Sequence, residues 1–89
     1  MKIKEGFKLR TVGDLHVLMG QGMEHINFNK LISLNSSAAY LWQAIEGKDF
    51  SIPSLSDLLV AKYIISHDQA LRDASEIVDI WEKEGLLEI

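Results

Sequence analysis

Eighty-nine residues allow one small domain over residues 1–89, with a single modest core and no deep catalytic cavity. An apolar share of 47% and a charged share of 25% are ordinary for a globular chain, and the lack of cysteine excludes a disulfide framework, a thiolate metal site and a thiol nucleophile. The net charge of −4 divides into +1 over residues 1–50 (six Lys/Arg, five Asp/Glu) and −5 over residues 51–89 (three against eight), an acidic half that disfavours a phosphate-backbone partner.

The opening Met-Lys-Ile-Lys-Glu-Gly has no apolar run of signal-peptide length, and no stretch approaches ~20 apolar residues, so a cytoplasmic location without membrane contact is expected. Phe7-Lys8-Leu9-Arg10-Thr11-Val12 alternates apolar and polar residues, the pattern of a half-buried strand. Gly13-Asp14 suits a type II′ hairpin turn, because glycine accepts positive φ at the first central position. Leu15 to Met19 reads as the returning strand. Gly20-Gln21-Gly22 breaks it, and residues 23–29 form a polar loop carrying Ile26 and Phe28. A third strand, roughly Lys30 to Leu34, completes an antiparallel meander, with Ile32 and Leu34 on one face and Leu31 and Ser33 on the other. Three strands with helices over one face make a stable minimum.

At Asn35 the apolar period changes from two to about 3.6 residues, so strand passes directly into helix. Asn35 is a favoured N-cap, Ala38, Leu41, Trp42 and Ile45 form one apolar stripe, and Gly47 caps the end. The corner Ile32 to Trp42 therefore sets the angle between sheet and helices, and the rest of the chain packs around it. Lys48 to Pro53 is a connector. Ser54 opens a second helix, with Asp57 completing an imperfect capping box and Leu55, Leu58, Leu59 and Tyr63 on its apolar face; Ile64-Ile65 extends the run. Ser66-His67-Asp68-Gln69 is a full Ser-x-x-Gln capping box for a third helix over about residues 67–84, closed by Gly85. Leu86 to Ile89 is a short extended tail on the core. The fold predicted is α+β, a three-stranded antiparallel sheet followed by three helices, with Leu34, Leu41, Trp42 and Leu58 in the core.

His16, His25 and His67 fall on a strand, a loop and a helix start, without the convergent spacing a metal requires. Neither a nucleophile elbow nor a glycine-rich phosphate loop is present. The serines read as helix caps and the histidines as solvated, so no enzyme activity, cofactor or metal is expected. The third helix carries more information. At ~100° per residue, Ala70, Ala74, Ile77 and Trp81 form a tight stripe. Leu71 and Val78 widen it on one flank, and Ile80 widens it on the other among Asp73, Glu76 and Glu84. An arc this broad has two explanations, the first being a helix wedged between sheet and neighbouring helices, the second that one edge of it lines a groove. The Ile77–Ile80 edge suits the wall of such a groove, whose other wall is the third strand, an edge open to an added strand.

The sequence resembles the PqqD family, the RiPP recognition elements. The resemblance runs from the hairpin Leu9 to Met19 through Leu34-Asn35-Ser36-Ser37-Ala38-Ala39-Tyr40-Leu41-Trp42, then Ala70 and Asp73, to Glu84-Gly85-Leu86-Leu87-Glu88. It implies a small winged helix-turn-helix-like domain without catalysis, a peptide chaperone of natural-product biosynthesis. Such domains take the leader segment of a ribosomally made precursor as an added strand and present it to a modifying enzyme, often a radical S-adenosylmethionine enzyme. Carried onto this chain, Leu31, Ile32, Ser33 and Leu34 supply the strand edge, Ile77, Ile80 and Trp81 the apolar pockets, and Asp73 and Glu84 the polar rim. The alternatives are a winged-helix nucleic-acid-binding or regulatory module and a structural subunit of a larger enzyme. Charge separates the first alternative, since a DNA reader wants cations on its third helix and this one has only Arg72 and Lys83 amid many acids.

Overall fold

The structure, a computed structural model, describes residues 1–20 and 31–88, with the backbone only at Leu31. The chain reverses at Gly13-Asp14, between β2 (Phe7–Val12) and β3 (Leu15–Gly20). Gly13 has φ 62°, and no described non-glycine residue has positive φ. Those signs are the type II′ pattern, whose twist matches the flanking strands. The third strand of this sheet, β4 (Leu31–Leu34), runs antiparallel to β3, so the order is β2-β3-β4. Leu18, Ile32 and Leu34 bury on one face, with Phe7 and Leu9 half-buried beside them. Gly20 belongs to β3 and does not break it; the expected loop over residues 23–29, with Gly22, His25 and Lys30, lies outside the described residues.

Ser36–Ile45 forms α1, entered directly from β4. The Asn35 side-chain oxygen accepts from the Ala38 N–H at 2.8 Å, and Gly47 follows the helix with φ 72°. The predicted stripe Ala38, Leu41, Trp42 and Ile45 is buried, together with Ala39. Trp42, 1% exposed, sits inside an edge-to-face series through the core. Its ring lies 6.5 Å from Phe7 and 5.3 Å from Trp81, which in turn lies 6.2 Å from Phe50. Such pairs add ~0.5–1.5 kcal/mol each beyond their burial. The series ties sheet, α1, α3 and connector together. Trp42 Nε1 is buried without a hydrogen-bond partner among the described residues, so packing rather than polarity holds the indole.

The second helix starts earlier than predicted. α2 spans Ile52–Lys62, and its N-cap is Ser51, not Ser54. Ser51 Oγ accepts from the Ser54 N–H at 3.2 Å, and Ser54 Oγ accepts from the Ser51 N–H at 2.8 Å. Serine thus performs the reciprocal role usually given to Glu or Gln, and Asp57 takes no part. Pro53 is harmless in the first turn, where its missing N–H has no helical acceptor. Leu55 and Leu59 are buried, whereas Leu58, expected in the core, is only partly buried against it. α2 stops at Lys62, and Ile64 is fully exposed instead of continuing the apolar face.

The longest helix, α3 (His67–Lys83), is capped by Ser66, whose Oγ accepts from the Gln69 N–H at 3.1 Å. The full capping box does not form. Gln69 donates to Asp73 Oδ1 at 2.7 Å and accepts from Arg72 at 3.1 Å, which draws its side chain along the helix and away from the cap. At the other end Leu86 N–H donates to the Trp81 carbonyl and Gly85 N–H to that of Glu82, a Schellman motif. Gly85 supplies the left-handed residue this motif needs, with φ 74°. The turn drives Leu86 into the core and leads to β5 (Leu87–Glu88). The tail is therefore a strand: β5 pairs antiparallel with β1 (Lys2–Ile3), an element too short for its pattern to register in the sequence.

Candidate functional site

The β2–β3 turn fixes the hydrogen-bonding phase of the whole meander. In a two-residue hairpin the closing pair is hydrogen-bonded, and bonded and non-bonded pairs alternate outward from it. Val12↔Leu15, Arg10↔Val17 and Lys8↔Met19 are therefore the bonded pairs, which turns the backbone groups of His16 and Leu18 toward β4. His16↔Leu34 and Leu18↔Ile32 follow as the bonded pairs of the second ladder. Leu31 and Ser33 are left with N–H and C=O directed away from β3. Among the described residues no strand receives them. The expected edge, residues 31–34, thus divides in two. Ile32 and Leu34 serve the sheet and core, while Leu31 and Ser33 present the open backbone groups. The two-residue turn already carried this information in the sequence, but alternation alone assigns side chains to faces and leaves the ladder's phase unread.

The predicted helical residues divide as well. Ile77 and Trp81 are buried, and the Trp81 ring packs edge-to-face with Trp42 and Phe50. Ile80, on the flank of the stripe, is 53% exposed. Asp73 is half-buried and held by Gln69, and Glu84 is half-buried at the C-cap of α3. α3 therefore offers an exposed apolar residue with carboxylates along the same flank, above a Trp-anchored core. The exposed Asp79–Lys83 pair, 3.0 Å apart, adds little in solvent.

Elsewhere the chemistry is sparse. No group of three His, Asp or Glu among the described residues is placed to hold a metal. His16 Nδ1 lies 3.0 Å from Thr11 Oγ1 in a cross-strand pair, and His67 is exposed at the start of α3. An open cleft of about 860 Å³ lies between the β1–β5 ribbon and the end of α1. Its three lysines, Lys2, Lys4 and Lys48, are matched by Glu5, Glu46 and Glu88, so it selects no sign of charge. No described helix is long and apolar enough to cross a membrane.

A three-stranded meander whose outer strand has no further partner among the described residues, followed by three helices, defines a small winged-helix-like α+β domain. The chain belongs to the PqqD family: the family model described as coenzyme PQQ synthesis protein D matches residues 16–87. No curated protein matches the chain. Two solved structures are similar to it in fold. TbiB1 in complex with the TbiA(beta) leader peptide is 21% identical, with 99% of this chain and 95% of that one covered and a TM-score of 0.76. Lasso peptide synthetase B1 complexed with the leader peptide is 18% identical, with 96% and 93% covered and a TM-score of 0.72.

Proposed function

We propose that this chain is a non-catalytic peptide-binding domain acting in peptide maturation, with residues 1–89 as one PqqD-like unit. It receives the leader segment of a ribosomally made precursor as a fourth strand on the outer edge of β4. It then presents the precursor to a modifying enzyme, of the radical S-adenosylmethionine class where the pathway uses one, in the cytoplasm. The observation that carries the reading is the open pair Leu31 and Ser33, two residues whose backbone groups point out of the sheet in register. An added strand satisfies such groups directly, and the side chains of the added strand choose the sequence. The two fold relatives, both solved with leader peptides, support the same reading.

Ile77, Ile80 and Trp81 form the helical side of the site, with Ile80 as the accessible anchor and the two buried residues as its foundation. Asp73 and Glu84 supply a polar rim suited to a leader that carries a basic residue near its apolar anchor. No cofactor or metal enters this function.

Amide hydrogen exchange tests it, with leader peptides of candidate ribosomal precursors from the source organism as ligands. Leu31 and Ser33 should gain protection on binding, because their partners change from water to peptide. Ile32 and Leu34, already bonded to β3, should change little. A peptide that binds tightly while leaving Leu31 and Ser33 unprotected would place the site elsewhere.

A further inference from the structure

The sheet has a second free surface. Its inner face carries Leu18, Ile32 and Leu34 into the core, so alternation places Lys8, Arg10, Val12, Leu15, Val17 and Met19 on the outer face. Val12 is 72% exposed and Leu15 54%, and Lys8 and Arg10 are exposed, while Val17 and Met19 are half-buried. Cross-strand pairing sets each cation against an apolar neighbour, Arg10 opposite Val17 and Lys8 opposite Met19. Neither cation forms an ion pair among the described residues. The face thus combines two positive charges, without an ion pair among the described residues, with four apolar side chains, on a chain whose net charge is −4.

We infer that this outer face is a docking surface for an acidic, partly apolar patch on a folded protein, namely the enzyme that modifies the precursor held at β4. The inference rests on the peptide-binding reading for the enzyme's identity. Three physical points lead to it. First, the face is an open sheet surface, about 10 Å across three strands and about 20 Å long by strand spacing and rise, which meets another protein surface and offers a small molecule no enclosure. Second, its charge opposes that of the rest of the chain, so an acidic partner is attracted here and repelled from the helical half. Third, peptide addition at β4 extends the sheet sideways and leaves this face open, so leader and enzyme occupy the domain together. The area is well below the ~800 Å² per partner of a stable complex. The contact is accordingly transient and salt-sensitive, as presentation followed by release requires.

The test measures association of the full chain with a purified peptide-modifying enzyme that acts on the precursor whose leader it binds, at low and at physiological salt. Leader-peptide affinity is measured in parallel on the same proteins. Two double variants are compared with the parent: Lys8→Glu with Arg10→Glu, and Val12→Ser with Leu15→Ser. All four positions are solvent-exposed, and circular dichroism melts verify folding. Both variants should bind leader peptide as the parent does. The charge-reversed variant should associate with the enzyme roughly tenfold more slowly or worse and lose most of its salt dependence. The serine variant should dissociate faster. Unchanged enzyme binding in both variants overturns the inference. So does parental binding of duplex DNA or RNA through Lys8 and Arg10, or self-association that either variant abolishes. A parent that fails to bind leader peptide refutes the peptide-binding reading instead, which keeps the two failures apart.

Discussion

Proline at position 33 isolates the edge of β4 from the rest of the sheet. Ser33 lies opposite Val17 in a non-bonded pair, so its N–H makes no bond within the β3–β4 ladder, and its side chain is exposed. Proline is tolerated on an edge strand when its missing donor faces solvent, and the fold of Ser33→Pro should lose no more than about 1 kcal/mol. That corresponds to a fall of roughly 4–8 °C in Tm for a chain this size. Binding should suffer far more. One inter-chain hydrogen bond, ~1 kcal/mol, disappears, and the ring leaves the opposing carbonyl of the leader unsatisfied at a further ~1–3 kcal/mol. The sum, ~2–4 kcal/mol, is a loss of roughly 30- to 1,000-fold in affinity. Fluorescence anisotropy of a labelled leader peptide reads it, with Ser33→Ala as the control that keeps the donor. A folded Ser33→Pro protein that binds as the parent does would refute strand addition at this edge.

Other perturbations address the core, the helical wall and the choice of partner. Trp42→Ala removes the centre of the aromatic series and should cost ~3–5 kcal/mol, much of the stability of an 89-residue domain; a near-parental Tm would show that the indole is not what joins sheet to helices. Ile80→Asp should leave the fold intact, since the residue is half-exposed, yet weaken leader binding by ~1–3 kcal/mol, the value of one apolar anchor. Parental affinity in a titration of that variant would move the helical wall. Duplex DNA should show no saturable binding at physiological salt, because the −5 balance of residues 51–89 repels phosphates; micromolar, steeply salt-dependent anisotropy changes would contradict this.

Much of the architecture was legible because the decisive signals are local and periodic. Alternation over Phe7–Val12, the glycine at the first turn position and the change of period at Asn35 each have one low-energy solution. The departures arise where side chains compete. Ser54 replaces the expected Glu or Gln in the capping box of α2, which hid the true start at Ser51. Gln69 has the right position for a box at α3, but its bond to Asp73 along the helix leaves the cap half-made. The β1–β5 ribbon joins chain positions more than 80 residues apart through two-residue strands, and no local pattern encodes such a pairing. In the candidate site, the exposed Ile80 and the edge strand were readable from helical and strand periods. Helical angles already set Ile80 on the flank and Trp81 in the stripe; the depth needed three dimensions, since only packing against Trp42 and Phe50 assigns Trp81 wholly to the core.

If a leader adds to so short an edge, the energetics require a second wall as well. Leu31 and Ser33 together offer four backbone groups, worth ~4 kcal/mol net at about 1 kcal/mol per hydrogen bond. Micromolar binding requires ~8 kcal/mol, so backbone pairing alone is too weak by about half. The difference has to come from apolar burial of leader side chains, for which Ile80 is the exposed surface on α3. This division separates two properties. On the proposed reading the edge would set register and accept any sequence, whereas the helical wall would set affinity and discriminate among leaders. It also keeps total affinity modest, which favours release. Tethering would then do what affinity does not: a precursor core linked by a short flexible segment would meet an enzyme docked on the same domain at roughly millimolar effective concentration. A peptide-binding domain of the kind proposed would raise the rate of maturation on those terms, by holding the leader at the edge of β4 and the enzyme on the outer face of the same sheet.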